Sequence, residues 1–460
     1  MRTPFAAAAV LALVSIFSHA RPAQGQDVLR AVRAARDAAP AGAWREGQVI
    51  VAFRPATEAR DVDRALGLAG TREERRSRSA PRYLVSVEPG TSVPEAVLRL
   101  ARMPEVAYAE PNGLVRQTQG TTFRPDDHFY RYQWNFTQVN AERTWGIQKG
   151  KASVAVAVLD SGVAYEDYTD PKTRQVFLKA PDWGDTKFLP GWDFVNGDAH
   201  PNDDEYHGTH VASTIAEATN NGTGMAGLAF GCSIMPLKVL DQHGEGTFFD
   251  VAEGIDYATE YTEGGTHPVK VINLSLGSEG VSQTVKAAVD RAIAAGVVIV
   301  AAAGNTGKNV VEFPANLPNV LAVGATDERK ERAFYSNTGA DLDFVAPGGN
   351  CDRDDDADGV SDCVFQQMPD PDFIVQGRHD QFCYCGLDGT SMATPHVAAA
   401  AALLFSQGFT DGAAVRAALE QAAERLGGAP AGGRNDTYGF GLIRPASALP
   451  GLGFNVGPKP

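Results

Sequence analysis

Three short segments carry side chains able to perform acyl transfer. Asp160-Ser161-Gly162 follows an apolar run, His207-Gly208-Thr209-His210 closes a long polar stretch, and Gly389-Thr390-Ser391-Met392 opens a second apolar run. A serine hydroxyl is a weak nucleophile until an imidazole takes its proton. The imidazole in turn needs a carboxylate to hold its tautomer and stabilise its cation. Asp160, His207 and Ser391 supply these groups in the chain order Asp, His, Ser. Taken singly each has a structural use: an acid closing a loop, a histidine opening a helix, a serine N-cap. Their coincidence is what points to chemistry.

Such residues need a frame. Val154–Leu159, Ile234–Leu240, Val271–Leu276, Val297–Ala302, Val320–Val323 and Asp343–Ala346 are nearly continuous Val, Ile, Leu and Ala, as in strands buried on both faces. Helical patterns at 249–262, 281–295, 391–407 and 411–425 separate or follow them. This predicts a large α/β domain with a parallel sheet, whose ligands sit outside the carboxyl ends of the strands. Ahead of it, 27–45 read as a short helix and linker. A strand at Gln48–Phe53, helix at Thr57–Leu66, strand at Tyr83–Val87, helix at Val93–Arg102 and strand at Glu105–Ala109 then predict a small α+β unit. Gln117–Arg124 is a polar joint suited to a linker or a cut.

The segments VLDSGV at 158–163, HGTHVA at 207–212, AAAGN at 301–305 and GTSMATPHVA at 389–398 together resemble the subtilisin-type serine proteases, over about residues 47 to 445. The resemblance implies a subtilisin-like parallel sheet flanked by helices, preceded by a small ferredoxin-like α+β propeptide domain. Its divisions would be a signal peptide at 1–20, a propeptide at 21–119 with its core at about 47–116, and a catalytic domain at 120–460 with an acidic insertion at about 350–386. It implies that Asp160 orients, His207 is general base then acid, and Ser391 is the nucleophile. Asn305 would donate to the oxyanion together with the Ser391 backbone N–H. Ser275, Leu276 and Gly277 would pair with extended substrate and, with Ala303 and Gly304, wall a primary pocket roomy enough for a large or apolar side chain. His210 is expected to pack or hydrogen-bond locally, and His396 to be buried and structural. The leading unit, ending AYAEPN at 107–112, would act as an intramolecular inhibitor released by self-cleavage within Val115–Arg124.

Charge and cysteines add compartment and partners. Arg2, an apolar run from Phe5 to Phe17 and Ser18-His19-Ala20 form a secretory signal pattern, too short to span a bilayer. A secreted monomer without membrane contact after signal removal is expected. Residues 21–117 carry a net charge of +4 and residues 118–460 one of −20. Opposite charge favours propeptide docking, and the acidic body lacks the cationic footprint that nucleic acid requires. Four of the five cysteines, Cys351, Cys363, Cys383 and Cys385, fall within one short stretch, which in an exported chain favours disulfides. Cys383 and Cys385 are too close in sequence to pair easily. A Cys351–Cys363 bridge, or two bridges crossing to the 383/385 pair, is expected, leaving Cys232 free and buried.

Asp354, Asp356, Asp358, Gly359 and Asp362 reproduce alternate positions of a calcium loop, but Phe365 stands where the bidentate Glu belongs. A structural calcium ion is expected there, against the alternative of a solvated acidic insertion. Weaker acidic candidates are Asp193, Asn196, Asp198, Asn202, Asp203 and Asp204, then Asp126 and Asp127. No organic cofactor is expected: HGTH lacks the glutamate of HExxH, and GxxxxGK[ST] does not occur. Asn135, Asn221, Asn273 and Asn435 head glycosylation sequons, of which Asn273 falls on a core strand. The reading is a secreted, self-processing serine endopeptidase acting on peptide substrates. The alternatives are a narrow processing protease or a catalytically silent calcium-dependent scaffold.

Overall fold

The six apolar runs of the large unit all form strands, and they lie side by side. The structure, a computed structural model, describes residues 44–113, 122–428 and 433–449. The chain divides into two compact units between Gln119 and Gly120. The signal pattern, nearly all of the 27–45 helix and most of the polar joint fall outside the described residues.

The first unit runs β1 (Trp44–Phe53), α1 (Ala59–Leu68), β2 (Thr71–Arg76), β3 (Arg82–Val87), α2 (Val93–Ala101) and β4 (Val106–Gly113). Its antiparallel sheet has the order β2-β3-β1-β4. Val49, Val51, Phe53, Val62, Leu66, Val85 and Leu100 meet in its core. Strand β2 was not foreseen: TREERR has no apolar alternation, and all but Thr71 are exposed. Pairing with β3 makes it a strand.

In the second unit the strands are β5 (Ala155–Asp160), the short β6 (Trp192–Asp193), β7 (Ser233–Lys238), β8 (Val269–Leu274), β9 (Val298–Ala302), β10 (Leu321–Thr326) and β11 (Phe344–Pro347). They form a seven-stranded sheet in the order β11-β10-β9-β8-β5-β7-β6, parallel throughout. The two-residue edge strand β6 is too short to carry a periodic signal. Along β5, Val156 and Val158 enter one core while Ala155, Ala157 and Leu159 enter the other. Burial on both faces explains the unbroken apolar composition. Helices α4 (Phe248–Glu260) and α5 (Gln283–Ala294) cover one face, and α3 (His207–Ala216) and α6 (Thr390–Gln407) the other. Ala398 to Ala402 are all buried, so α6 can lie close against the sheet. Helix α7 (Gly412–Ala422) follows it. The predicted parallel sheet, its flanking helices and the small α+β unit are thus all present.

The insertion contains more than acid. Val364–Pro369 and Phe382–Leu387 form an antiparallel hairpin, which its mixed sequence did not announce. Cys363 O accepts from Trp134 Nε1 at 2.9 Å, and Gln367 Oε1 accepts from Asp182 N at 2.8 Å, tying the hairpin to the body. Cys351 is paired with Cys363, as one expected option had it, and Cys232 is free and buried. Against expectation Cys383 is paired with Cys385. Alternate residues of one strand point to the same face, and these Cα atoms are 5.4 Å apart.

Candidate active site

Register decides which residues can meet. Val158 of β5 lies beside Asn273 of β8, and Leu274 of β8 beside Ala301 of β9. The carboxyl ends of three neighbouring strands therefore deliver Asp160, Ser275 and the 303–305 turn to one edge of the sheet.

Helix α3 starts against the end of β5. A Cβ on Gly208 would stand 2.1 Å from Gly162 O and 3.1 Å from Asp160 Cβ, so only glycine permits this approach. Gly208 N donates to Ser161 Oγ at 2.9 Å, and that hydroxyl donates to Asp203 Oδ1 at 2.9 Å. Asp203 Oδ2 accepts from Thr209 N and Thr209 Oγ1. The Glu205 carboxylate accepts from His207 N at 2.7 Å, next to the positive end of the helix. So held, His207 donates from Nδ1 to Asp160 Oδ1 at 2.7 Å. Asp160 is fully buried, whereas 23% of the His207 side chain is exposed. Burial alone would lower the His207 pKa. The Asp160 charge and hydrogen bond, with Glu205 and Asp203 further off, outweigh it and push it up to about 9.

Ser391 lies in the first turn of α6. Its hydroxyl donates to Ser275 O at 3.1 Å, and Ser275 Oγ donates back to Ser391 O at 2.8 Å. Pro395 has no N–H, so within the helix it leaves the Ser391 carbonyl free for Ser275. Asn305 Oδ1 accepts from Thr390 N and Thr390 Oγ1, both at 2.8 Å. That orientation frees Nδ2. A methyl built on Gly389 would stand 3.4 Å from Asn305 Nδ2 and 3.6 Å from Ser391 N, so the two donors converge on one side of the cleft.

His207, Ser275, Leu276, Gly277, Asn305 and Ser391 share a cleft of about 960 Å³. Ala303 and Gly304 are buried and do not line its open part. The room expected for an apolar side chain between Gly277 and Gly304 instead holds the carboxylate of Glu312, a residue that no motif flagged. His396 is buried, accepts from Asn135 Nδ2 at 2.9 Å and donates to Met392 O, and burial lowers its pKa to about 4. His210 is also buried, with its pKa lowered to about 3. Its partner is Val364 O of the distant hairpin, at 2.9 Å, and so is not local.

The acids separate by use. Asp354, Asp356 and Asp358 bring carboxylate oxygens within 4.8 Å of one another, all exposed, whereas Asp362 groups with Asp356 and Glu328. Glu328 was missed because it lies outside the loop. Burial and the charges of Asp362 and Asp356 push its pKa up to about 7. Asp203 serves the α3 network, and Asp204 pairs with the buried Lys238 at 2.6 Å. A further acidic pocket was barely visible in sequence. Asp127 accepts from Asn220 N at 2.7 Å, and Asp182 accepts from Asn221 Nδ2 at 2.7 Å. Glu217 is fully buried, and among the described residues neither of its oxygens has a donor at good hydrogen-bond geometry. Burial and the neighbouring Asp182 raise its pKa.

Comparison with known proteins gives consistent answers. Residues 151–441 match the Subtilase family, and residues 30–112 match the fervidolysin N-terminal prodomain. A thermophilic serine proteinase of Bacillus sp. (strain AK1) is 37% identical, over 84% of this chain and 84% of that protein. Thermitase of Thermoactinomyces vulgaris is 35% identical, over 66% of this chain and 92% of its own. Among solved structures, a protease from Pseudoalteromonas arctica matches with a TM-score of 0.59 and 28% identity, covering 71% of this chain and 98% of that one.

Proposed function

The chain belongs to the subtilase family of serine endopeptidases, and on that premise we propose that Ser391, His207 and Asp160 are its catalytic triad. The observation that carries this is the 2.7 Å bond from His207 to buried Asp160, on the same cleft as Ser391 and Asn305. Ser391 Oγ swings from the Ser275 carbonyl to His207 Nε2, gives up its proton there and attacks the substrate carbonyl carbon. The negative charge passes to the carbonyl oxygen, where Asn305 Nδ2 and Ser391 N donate to it. As the C–N bond breaks, His207 returns the proton to the leaving amine. Water then repeats the sequence on the acyl-enzyme, releasing the acid. Asp160 keeps the proton on Nδ1 throughout and stabilises the imidazolium. Ser275 to Gly277 pair with the substrate main chain, which accepts many sequences.

The same reading makes the protein an exported zymogen. The unit matching the prodomain assists folding, blocks the cleft and is cut off within Val115–Arg124; the Cys351–Cys363 and Cys383–Cys385 pairs are oxidised outside the cell. No helix among the described residues is long and apolar enough to cross a membrane. Structural calcium fits two places. Asp354, Asp356 and Asp358 would hold one ion, with Glu328 and Asp362 beside them. Asp127, Asp182 and Glu217 would hold another, around the buried Glu217 carboxylate, whose two oxygens have no hydrogen-bond partner among the described residues. Calcium would supply countercharge and loop rigidity, and no chemical step.

The test is to express the full chain and Ser391→Ala in parallel and take intact masses with N-terminal sequences. Loss of the leading unit from the wild type alone supports self-maturation through Ser391. Identical cutting of both removes that support.

A further inference from the structure

A carboxylate stands where the primary pocket should be. A Cβ on Gly277 would lie 2.8 Å from Glu312 Oε2, and one on Gly304 would lie 2.5 Å from Glu312 Oε1. The acid therefore lies against both Gly277, which lines the cleft, and the buried Gly304 behind it. Its backbone is tied to one wall, because Glu312 N donates to Ala303 O at 3.0 Å. Its side chain is aimed as well. Buried Asn337 uses Oδ1 to accept from Thr306 N, Thr306 Oγ1 and Lys308 N, which leaves Nδ2 to donate to Glu312 Oε1 at 3.2 Å.

The charge of Glu312 has no directly bonded counter-ion among the described residues, and Lys308 acts on it only at longer range. That lysine is engaged by Glu279 at 2.7 Å. Among the described residues the open cleft is lined by Glu205, Glu245 and Asp388, and by no lysine or arginine. One carboxylate has room for about four hydrogen bonds, and among the described residues Glu312 Oε2 accepts none while Oε1 accepts one. An apolar substrate side chain entering this pocket would desolvate the charge without pairing it, which is costly; a cation would satisfy it. In serine proteases of another fold an acid in the primary pocket likewise sets the preference.

We propose that Glu312 is the specificity-determining residue of the primary pocket and that the enzyme cleaves after lysine or arginine. This rests on Ser391 as nucleophile and on residues 275–277 and 303–304 as pocket walls. Asn337 is a positioning residue that points the acid.

The test uses the mature enzyme obtained from the full chain, with active sites titrated by a fluorophosphonate. Its substrates are chromogenic peptides differing only at the residue before the scissile bond: Arg, Lys, Phe, Leu or Glu. A hydrogen-bonded charge pair implies kcat/KM for Arg and Lys at least about tenfold above Phe and Leu. In Glu312→Gln that ratio should fall by about tenfold or more, and in Glu312→Lys the Glu substrate should become the best. Because each variant is compared with itself across substrates, a loss of folded enzyme does not mimic the effect. Wild type cutting after Phe or Leu as well as after Arg or Lys overturns the proposal. So does a ratio unchanged in Glu312→Gln. If no peptide is cut and the fluorophosphonate fails to label Ser391, the protease reading itself has failed, a result distinct from either.

Discussion

The two compact units bury different things. In residues 44–113 the core is apolar, and Thr71 is the only buried polar side chain among the described residues. In the large unit Asp160, Asp203, Lys238, Asn337 and His396 are all buried, each with specific partners. Apolar burial is non-directional, so it sets a shape and tolerates exchanges of similar volume. A buried polar group costs free energy unless it is paired, so it selects one arrangement of atoms. The small unit needs a surface; the large one needs atoms placed to within a hydrogen bond.

That contrast breaks most clearly at the nucleophile. Ser391→Ala should lower kcat by at least about 10⁴-fold and leave the chain uncut; residual turnover near wild type in a peptide assay would overturn the assignment. Asp160→Asn should cost about 10⁴-fold through the wrong imidazole tautomer. Its pH profile sharpens the point. The base must be neutral, so wild-type kcat/KM should rise with pH through the His207 pKa, pushed up to about 9. Without the Asp160 charge, burial dominates and the rising limb should move toward acid. A limb unmoved in the variant would mean another group controls it.

Asn305→Ala should reduce kcat by about 10²–10³-fold with KM little changed; a loss confined to KM would make Asn305 a binding residue only. Leu100→Ala, in the small unit, should lower that unit's stability by about 2–5 kcal/mol. Urea titration of the uncut Ser391→Ala chain reads this, while the mature enzyme from a Leu100→Ala precursor should keep its kcat. Smallest in expected effect is calcium. Removing an ion present at a hundred times its dissociation constant costs about 3 kcal/mol. The thermal midpoint should therefore fall on chelation and recover on adding calcium. Asp356→Asn should reproduce part of the fall, because Asp356 belongs to both carboxylate groupings around the loop. A midpoint indifferent to chelator would leave the acidic loop merely solvated.

The fold was readable because strands buried on both faces are mostly apolar, and the six principal runs were nearly so, with few polar interruptions such as Lys238 and Asn273. Asp160, His207, Asn305 and Ser391 were readable for a related reason. A strand end, a turn without room for Cβ and a helix start are contiguous structures, so their requirements are written in contiguous residues such as DSG and HGTH. β2 was missed because its six residues carry no alternation, and β6 because two residues cannot show one.

Contiguous residues carried the sheet, the chain order of the proposed triad and the residue types at each strand end. Tertiary structure alone decided the rest. Glu312 reaches Gly277 across 35 positions, His210 bonds a carbonyl 154 residues away, and Glu328 joins an acidic loop it does not belong to. Cys383 finds Cys385 because a strand turns both to one face. Short-range sterics are encoded locally, whereas desolvation and charge depend on whatever the fold brings near. The chemistry of this protein was thus legible in its motifs, and the preference of its pocket only in its packing.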